Sequence, residues 1–226
     1  MAEPAPGDGL EVVYGKRAVA EARRGRRQVH RVWTAAEMSS DELTRLAGSP
    51  DHQGIVAEVD PYPYAEPASL LRPEDALIIA LDQVQDPRNL GAVCRSAEVA
   101  GASGVVIPAR GAAAVTPAVC RTSAGAVEHL PVARVRNLAD WLLEAKRVTG
   151  LWAYGAAAGA ANAHTDQDLT GRVILVLGSE GRGIRPRVAG ACDAMVAIPS
   201  RGRTESLNVS AAASVLLFEA VRQRAA

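Results

Sequence analysis

From residue 75 onward the chain alternates short, almost unbroken apolar runs with longer stretches suited to helices, and this alternation limits the fold most. The runs are ALIIAL (76–81), GVVIP (104–108), PVARV (131–135), LWAYG (151–155), RVILVLG (172–178) and AMVAIP (194–199). The clearest helical stretches are 89–102, 137–147 and 206–225, rich in Ala, Leu and Arg. Strands that are apolar at every position, not at every second one, are buried on both faces. Their alternation with helices predicts an α/β domain built on a parallel sheet with helices on both sides. Ligands of such sheets bind beyond the carboxyl ends of the strands, so the residues that follow each run are the candidates for chemistry.

The rest of the chain is organised differently. Residues 1–9 are Pro, Gly and acid and read as a flexible tail. Residues 10–60 form a first segment with a basic run, KRAVAEARRGRRQVHR, that holds seven Lys/Arg and one Glu. Pro61, Pro63, Pro67 and Pro73 mark 61–74 as an extended, semi-rigid linker, because proline disfavours helix at the residue before it. Residues 75–226 are the α/β domain. The 226 residues carry 25 basic and 25 acidic side chains, so any nucleic-acid binding has to come from a local patch. Cys94, Cys120 and Cys192 match no disulfide framework and no zinc spacing, which points to reduced thiols in a cytoplasmic protein without a metal. No apolar stretch reaches the length of a membrane span.

Three post-strand segments stand out. DQVQDPRNLGAVCRSAEVAG places Asn89 where it can cap a helix and Arg95 nearly two turns further on. LGSEGRGIRP sets Gly178, Gly181 and Gly183 around Glu180; it is neither a Walker loop, a nucleophile elbow nor a dinucleotide fingerprint. By itself Glu180 reads as an acid at a helix N-terminus. SLNVSAAASVLLFEA opens with Ser206 and Asn208, both good caps, and continues into small residues that let another element approach closely.

Together, in order, these segments resemble the three motifs of the SpoU (TrmH) family of RNA ribose 2′-O-methyltransferases, over about residues 76–224. VVYGKRAVAEA and HQGIVAEV also resemble the start and end of the L30e-like RNA-binding domain of the subgroup that modifies a guanosine of 23S ribosomal RNA. Fewer residues separate Tyr14 from His52 than a complete domain of that type needs, so a helix or strand is expected to be missing. The resemblance implies S-adenosylmethionine as methyl donor and RNA as substrate. It also implies a homodimer and a C-terminal deep trefoil knot, which topology rules alone would not suggest. It places Leu177, Gly178, Ile198, Ser206 and Leu207 at the cofactor. Arg95, Asn89, Glu180, Ser206 and Asn208 fall at the chemistry, with Asn89 and Glu180 orienting Arg95. Arg95 would act as the base or hold a phosphate. A transfer-RNA ribose methyltransferase and a non-catalytic RNA-binding assembly factor remain open as alternatives. The basic run is expected to add RNA affinity, and residues 1–70 to be separable from the α/β domain.

Overall fold

A computed structural model describes residues 7, 9–204 and 206–225, so most of the expected tail lies outside the described residues. The first elements are β1 (Glu11–Tyr14), α1 (Lys16–Ala22), β2 (Val29–Thr34), α2 (Ser40–Ala47) and β3 (Ile55–Val59). They form an antiparallel sheet with β3 in the middle, in the order β1-β3-β2. α2 begins with a capping box in which the Ser39 hydroxyl and the Glu42 carboxylate each satisfy the other residue's main-chain N–H. It ends at Gly48, in the left-handed conformation at φ 65° that glycine adopts without steric cost.

The described residues continue into β4 (Leu77–Asp82), α3 (Pro87–Val99), β5 (Gly104–Pro108), α4 (Pro117–Thr122), β6 (Val132–Val135), α5 (Leu138–Thr149), β7 (Trp152–Ala156), β8 (Asn162–Ala163), β9 (Val173–Gly178), α6 (Pro186–Ala189), β10 (Ala194–Ala197) and α7 (Val209–Arg224). Among them a seven-stranded sheet runs in the order β6-β5-β4-β9-β7-β10-β8, and every pairing is parallel. The six apolar runs of the sequence fall in β4, β5, β6, β7, β9 and β10. β8 has only two residues and no apolar period; its register against Val196 and Ala197 of β10 defines it. Short α4 and α6, each opened by a proline, are likewise too brief to leave a period in the sequence.

All six residues of central β4 are buried. Leu77, Ile79 and Leu81 belong to one apolar cluster, with α3, α4 and α7, while Ile78 and Ala80 belong to another with α5 and α6. The strand is therefore apolar throughout because helices cover both of its faces.

The first cluster does not stop at the α/β domain. It also takes in Val13, Ala18, Val19, Ala22, Ala57, Val59 and Tyr62, packed with Val93, Val119, Val127 and Leu130. The proline-rich stretch is built into this assembly: Tyr62 and Leu70 are buried, Ala65 pairs with Ala133 of β6, and Pro67–Leu71 make a 3-10 turn. The small N-terminal sheet and the large sheet thus share a core, and the expectation that residues 1–70 are separable has to be corrected.

Polar groups seal the same junction. The Arg27 side chain is 1% exposed and pairs with Glu128, also 1% exposed, through Nη2 and, at 3.0 Å, through Nε. Its Nη1 donates to Glu11 at 3.1 Å and its Nη2 to Cys120 Sγ at 3.3 Å. Burial works against the charge on Arg27, but the Glu128 carboxylate outweighs it and holds the proton more tightly than usual. Arg26 reaches across to the carbonyls of Val127, Glu128 and Leu130. Two cations of the basic run therefore fasten the N-terminal sheet to the α/β domain and are not free for RNA. Cys94 and Cys120 lie in the shared core, and burial pushes both thiols up to about 12.

Candidate active site

β4 and β9 are neighbours, and their last residues, Asp82 and Gly178, stand opposite each other in register at the carboxyl edge of the sheet. Two of the three motif segments therefore begin side by side. Asp82 is fully buried. Its carboxylate accepts from the Arg185 main-chain N–H at 2.8 Å, from Nε at 2.9 Å and from Nη2 at 2.6 Å. This charge-assisted, forked contact ties the end of loop 179–185 to the end of β4. Sequence reasoning missed both residues. The available signal is an aspartate closing a strand that is otherwise wholly apolar.

Within that loop the Gly183 N–H donates to the Ser179 carbonyl at 2.9 Å, and Gly181 and Gly183 take positive φ of 77° and 66°. Gly178 has another reason to be glycine. A Cβ there would stand 2.0 Å from the carbonyl carbon of Gly183 and 2.3 Å from the nitrogen of Ile184. The loop folds back over its own first residue, so space at Gly178 is taken by main chain. Gly178→Val should prevent this closure and abolish S-adenosylmethionine binding in calorimetry; unchanged affinity would place Gly178 outside the cofactor site.

The cap of α3 differs from expectation, while α7 is capped by one of its two expected residues. Asp86, not Asn89, caps α3, accepting from the Arg88 N–H at 2.8 Å, with Pro87 as first helical residue. Asn89 falls inside the first turn with its side chain free for other partners. Asn208, not Ser206, caps α7 and accepts from the Ser210 N–H at 2.8 Å. Glu180 lies in the loop well before α6 and heads no helix.

The freed groups converge. Asn89 Nδ2 donates to Glu180 Oε1 at 2.8 Å, Asn208 Nδ2 donates to Asn89 Oδ1 at 3.0 Å, and Asn208 Nδ2 also bonds Glu180 Oε1. One residue from each of the three segments thus meets in a closed polar cluster. Both Asn208 amide hydrogens and one of the two on Asn89 are used internally, while Glu180 Oε2 accepts no hydrogen bond within the described residues. A cleft of about 310 Å³ opens beside it, lined by Gln83, Gln85, Asn89, Glu180, Arg182 and Val209 among others. The cluster therefore presents carboxylate oxygen to the cleft and is equipped to accept a hydrogen bond from a hydroxyl group.

Arg95 is not part of this cluster. At 1.5 Å and 100° per residue, six positions carry it roughly 9 Å along α3 from Asn89 and about 120° around it. It is exposed, does not line the cleft, and makes no hydrogen bond or ion pair within the described chain. The expected orientation of Arg95 by Asn89 and Glu180 is thus absent within one chain. Near it, Val99 of α3 is 64% exposed, and Phe218 and Val215 of α7 are 47% and 37% exposed. Ser96 and Ser214 hydrogen-bond at 2.7 Å and bring the two helices together.

The remaining candidates lie at the end of β9, just beyond β10 and directly before α7. The Leu177 side chain is buried in the core, so only its main chain is available. Ile198, just beyond β10, is half-buried, and Leu207 is 51% exposed. Ser206 is exposed and makes no hydrogen bond within the described residues.

Residues 76–218 match the SpoU rRNA Methylase family, and residues 35–65 match the RNA 2′-O ribose methyltransferase substrate-binding family. The chain is 36% identical to the TrmH family tRNA/rRNA methyltransferase YacO of Bacillus subtilis, over 95% of this chain and 96% of that protein. It is 37% identical to a tRNA/rRNA methyltransferase of Synechocystis sp., covering 96% of this chain but only 64% of that longer protein. Among solved structures it resembles the SpoU methyltransferase AviRb from Streptomyces viridochromogenes in complex with AdoMet, with a TM-score of 0.84 and 28% identity, covering 96% of this chain and 91% of that one.

Proposed function

Since the chain belongs to the SpoU rRNA methylase family, we propose that its cleft methylates a ribose 2′-hydroxyl of RNA, a guanosine of 23S ribosomal RNA, with S-adenosylmethionine as donor. The observation that carries this reading is the Asn89–Glu180–Asn208 cluster, one residue from each motif, with an unused carboxylate oxygen on Glu180, which lines the cleft.

The residues beyond β9 and β10 suit the cofactor. Leu207 keeps an apolar side chain half uncovered at a polar edge, Ser206 has an unbonded hydroxyl, and the turn at Gly181 and Gly183 leaves main chain accessible. Leu177, Gly178, Ile198, Ser206 and Leu207 would hold the adenosine, chiefly through main-chain groups and apolar contact. When bound, S-adenosylmethionine supplies a methyl group already activated on a sulfonium.

The protein's own part is positioning. Glu180 Oε2 accepts the ribose hydroxyl hydrogen bond and aims its oxygen. Asn89 and Asn208 fix the carboxylate, since each donates to Oε1. Arg95 holds the phosphate beside the target ribose, because a guanidinium keeps its proton in proteins and grips phosphate with a planar fork. The hydroxyl proton leaves through Glu180 Oε2, which already holds it in that hydrogen bond, and passes from there to water or to that phosphate.

A homodimer completes the site. Arg95 stands apart from the cluster of its own chain, on an α3–α7 surface that also exposes Val99 and Phe218. Burying that surface against a second copy would carry Arg95 towards the partner's cleft. The knot belongs to the same proposal. The chain leaves β10 beyond β7 and returns across β9 to set α7 against α3, a course compatible with passage through a loop. The N-terminal sheet and α1 would contact the ribosomal RNA, with Lys16, Arg17 and Arg23 as cations that make no side-chain contact within the described residues.

Calorimetry with S-adenosylmethionine, followed by mapping of 2′-O-methylation in total RNA with and without the protein, tests the function. Cofactor binding and one new methylated guanosine in 23S RNA are expected. Methylation confined to transfer RNA would replace the target, and cofactor binding without methylation of any RNA would favour an assembly factor.

A further inference from the structure

Several arginines of the α/β domain have a carboxylate partner. Arg185 pairs with Asp82, Arg187 with Asp140, Arg147 with Glu144 and Arg222 with Glu219. Arg110 and Arg136 are among those that do not: both are exposed, and neither makes a hydrogen bond or ion pair within the described residues. Both also follow the carboxyl ends of strands, Arg110 two residues after β5 and Arg136 directly after β6.

Contacts join these positions to the cleft. The Ala109 N–H donates to the Val135 carbonyl at 2.8 Å, which holds the residues preceding the two arginines together. Gln85, in the cleft wall, donates from Nε2 to the Gly111 carbonyl at 3.4 Å, and the Ala113 N–H donates to the Val84 carbonyl at 2.9 Å. The edge from the Asn89–Glu180 cluster over β5 to β6 is therefore continuous. Adjacent strands are about 4.8 Å apart, so two long side chains there can reach neighbouring phosphates.

At the far end lies a flat surface. Arg134, the exposed residue of β6 two positions before Arg136, holds its guanidinium over the Tyr64 ring, 4.5 Å from the centroid. The Tyr64 hydroxyl accepts from the Val115 N–H at 2.9 Å, which fixes the ring. Paired cations leading to a stacked guanidinium and aromatic ring suit single-stranded RNA, whose phosphates need charge and whose unpaired bases need planar partners.

We propose that the RNA on one side of the target ribose runs over the ends of β5 and β6, its phosphates on Arg110 and Arg136 and a base against the Arg134–Tyr64 stack. This rests on the ribose-methylation reading and assigns positioning residues outside the three motif segments.

The test compares the full-length protein with the R110A/R136A double variant and with R147A, whose arginine is already paired on the outer surface of α5. Binding of a fluorescein-labelled, mixed-sequence single-stranded RNA is measured across salt concentrations, alongside S-adenosylmethionine affinity and the kcat and KM for methylation of 23S RNA. The double variant should bind the RNA roughly tenfold more weakly, and its salt slope should fall by about 1.4, or ~0.7 for each single-strand phosphate that no longer meets a cation. KM should rise while kcat at saturating RNA and cofactor affinity stay unchanged, and R147A should match the parent. An unchanged salt slope in the double variant, or an equal loss in R147A, overturns the track. A parent protein that neither binds RNA nor transfers methyl overturns the methylation reading, and the track with it.

Discussion

Arg95→Ala should lower the single-turnover methylation rate by roughly 10²–10⁴-fold, the range for a group that acts in proton transfer or on the charge it creates. S-adenosylmethionine affinity should hardly change, because the adenosine residues lie beyond β9 and β10 and Arg95 lies on α3. Arg95→Lys should rescue little, as a point charge does not reproduce the fork against phosphate. A phosphate-holding Arg95 lowers the rate equally at every pH. An Arg95 that titrates gives a rate rising with pH, and its lysine variant a displaced profile. Because Arg95 does not touch the cluster in its own chain, mixing matters too. Arg95→Ala and Glu180→Ala protomers, each inactive alone, should recover part of the activity when co-assembled, since one of the two shared sites is then intact. No recovery in verified heterodimers would place Arg95 in the site of its own chain, and near-parental rates for Arg95→Ala alone would return it to the surface.

The second large effect is on stability. Glu128→Ala leaves the buried Arg27 charge without its main partner, a loss that typically costs about 3–5 kcal/mol. That is a large share of the ~5–15 kcal/mol by which most domains are stable. The midpoint of urea denaturation, monitored by circular dichroism, reads the change. The double variant Arg27→Met with Glu128→Leu should regain most of it, because removing both charges leaves neither unpaired. Deletion of residues 1–70 should fail to give a compact α/β domain, since it exposes Val119, Val127 and Leu130 and strands Glu128. A Glu128→Ala protein with parental stability, or a cooperatively folding deletion, would show that the shared core contributes little.

The basic run between Lys16 and Arg31 shows what a sequence reading can and cannot separate. Its charge is plain in the sequence, but the direction of each side chain is not. Arg27 points inward to Glu128, more than a hundred positions away, and Arg26 reaches the carbonyls beside it. A cation that neutralises a buried carboxylate and one that awaits phosphate have the same one-letter code, and only the long-range partner distinguishes them. The cap of α3 departs from expectation for a related reason. Asp86, Asn89, Ser206 and Asn208 are all capable caps, and the choice depends on where the preceding loop lets the helix start. At α3 it falls on Asp86 because Pro87 takes the first helical position, and that leaves Asn89 free for Glu180.

What the sequence determined by itself was the parallel α/β sheet and the three segments that border its carboxyl edge. Burial on two faces demands strands that are apolar at every position, and that demand is written locally in ALIIAL, GVVIP and RVILVLG. The tertiary structure alone decided the strand order, which sets β9 beside β4 and so brings Gly178 opposite Asp82 and Glu180 to Asn89. It also decided that Arg95 stands apart from that cluster and that the two sheets share one core. Strand order and core sharing depend on contacts between residues far apart in the chain. Closing those loops costs entropy that only the assembled core repays, so no local pattern records the outcome.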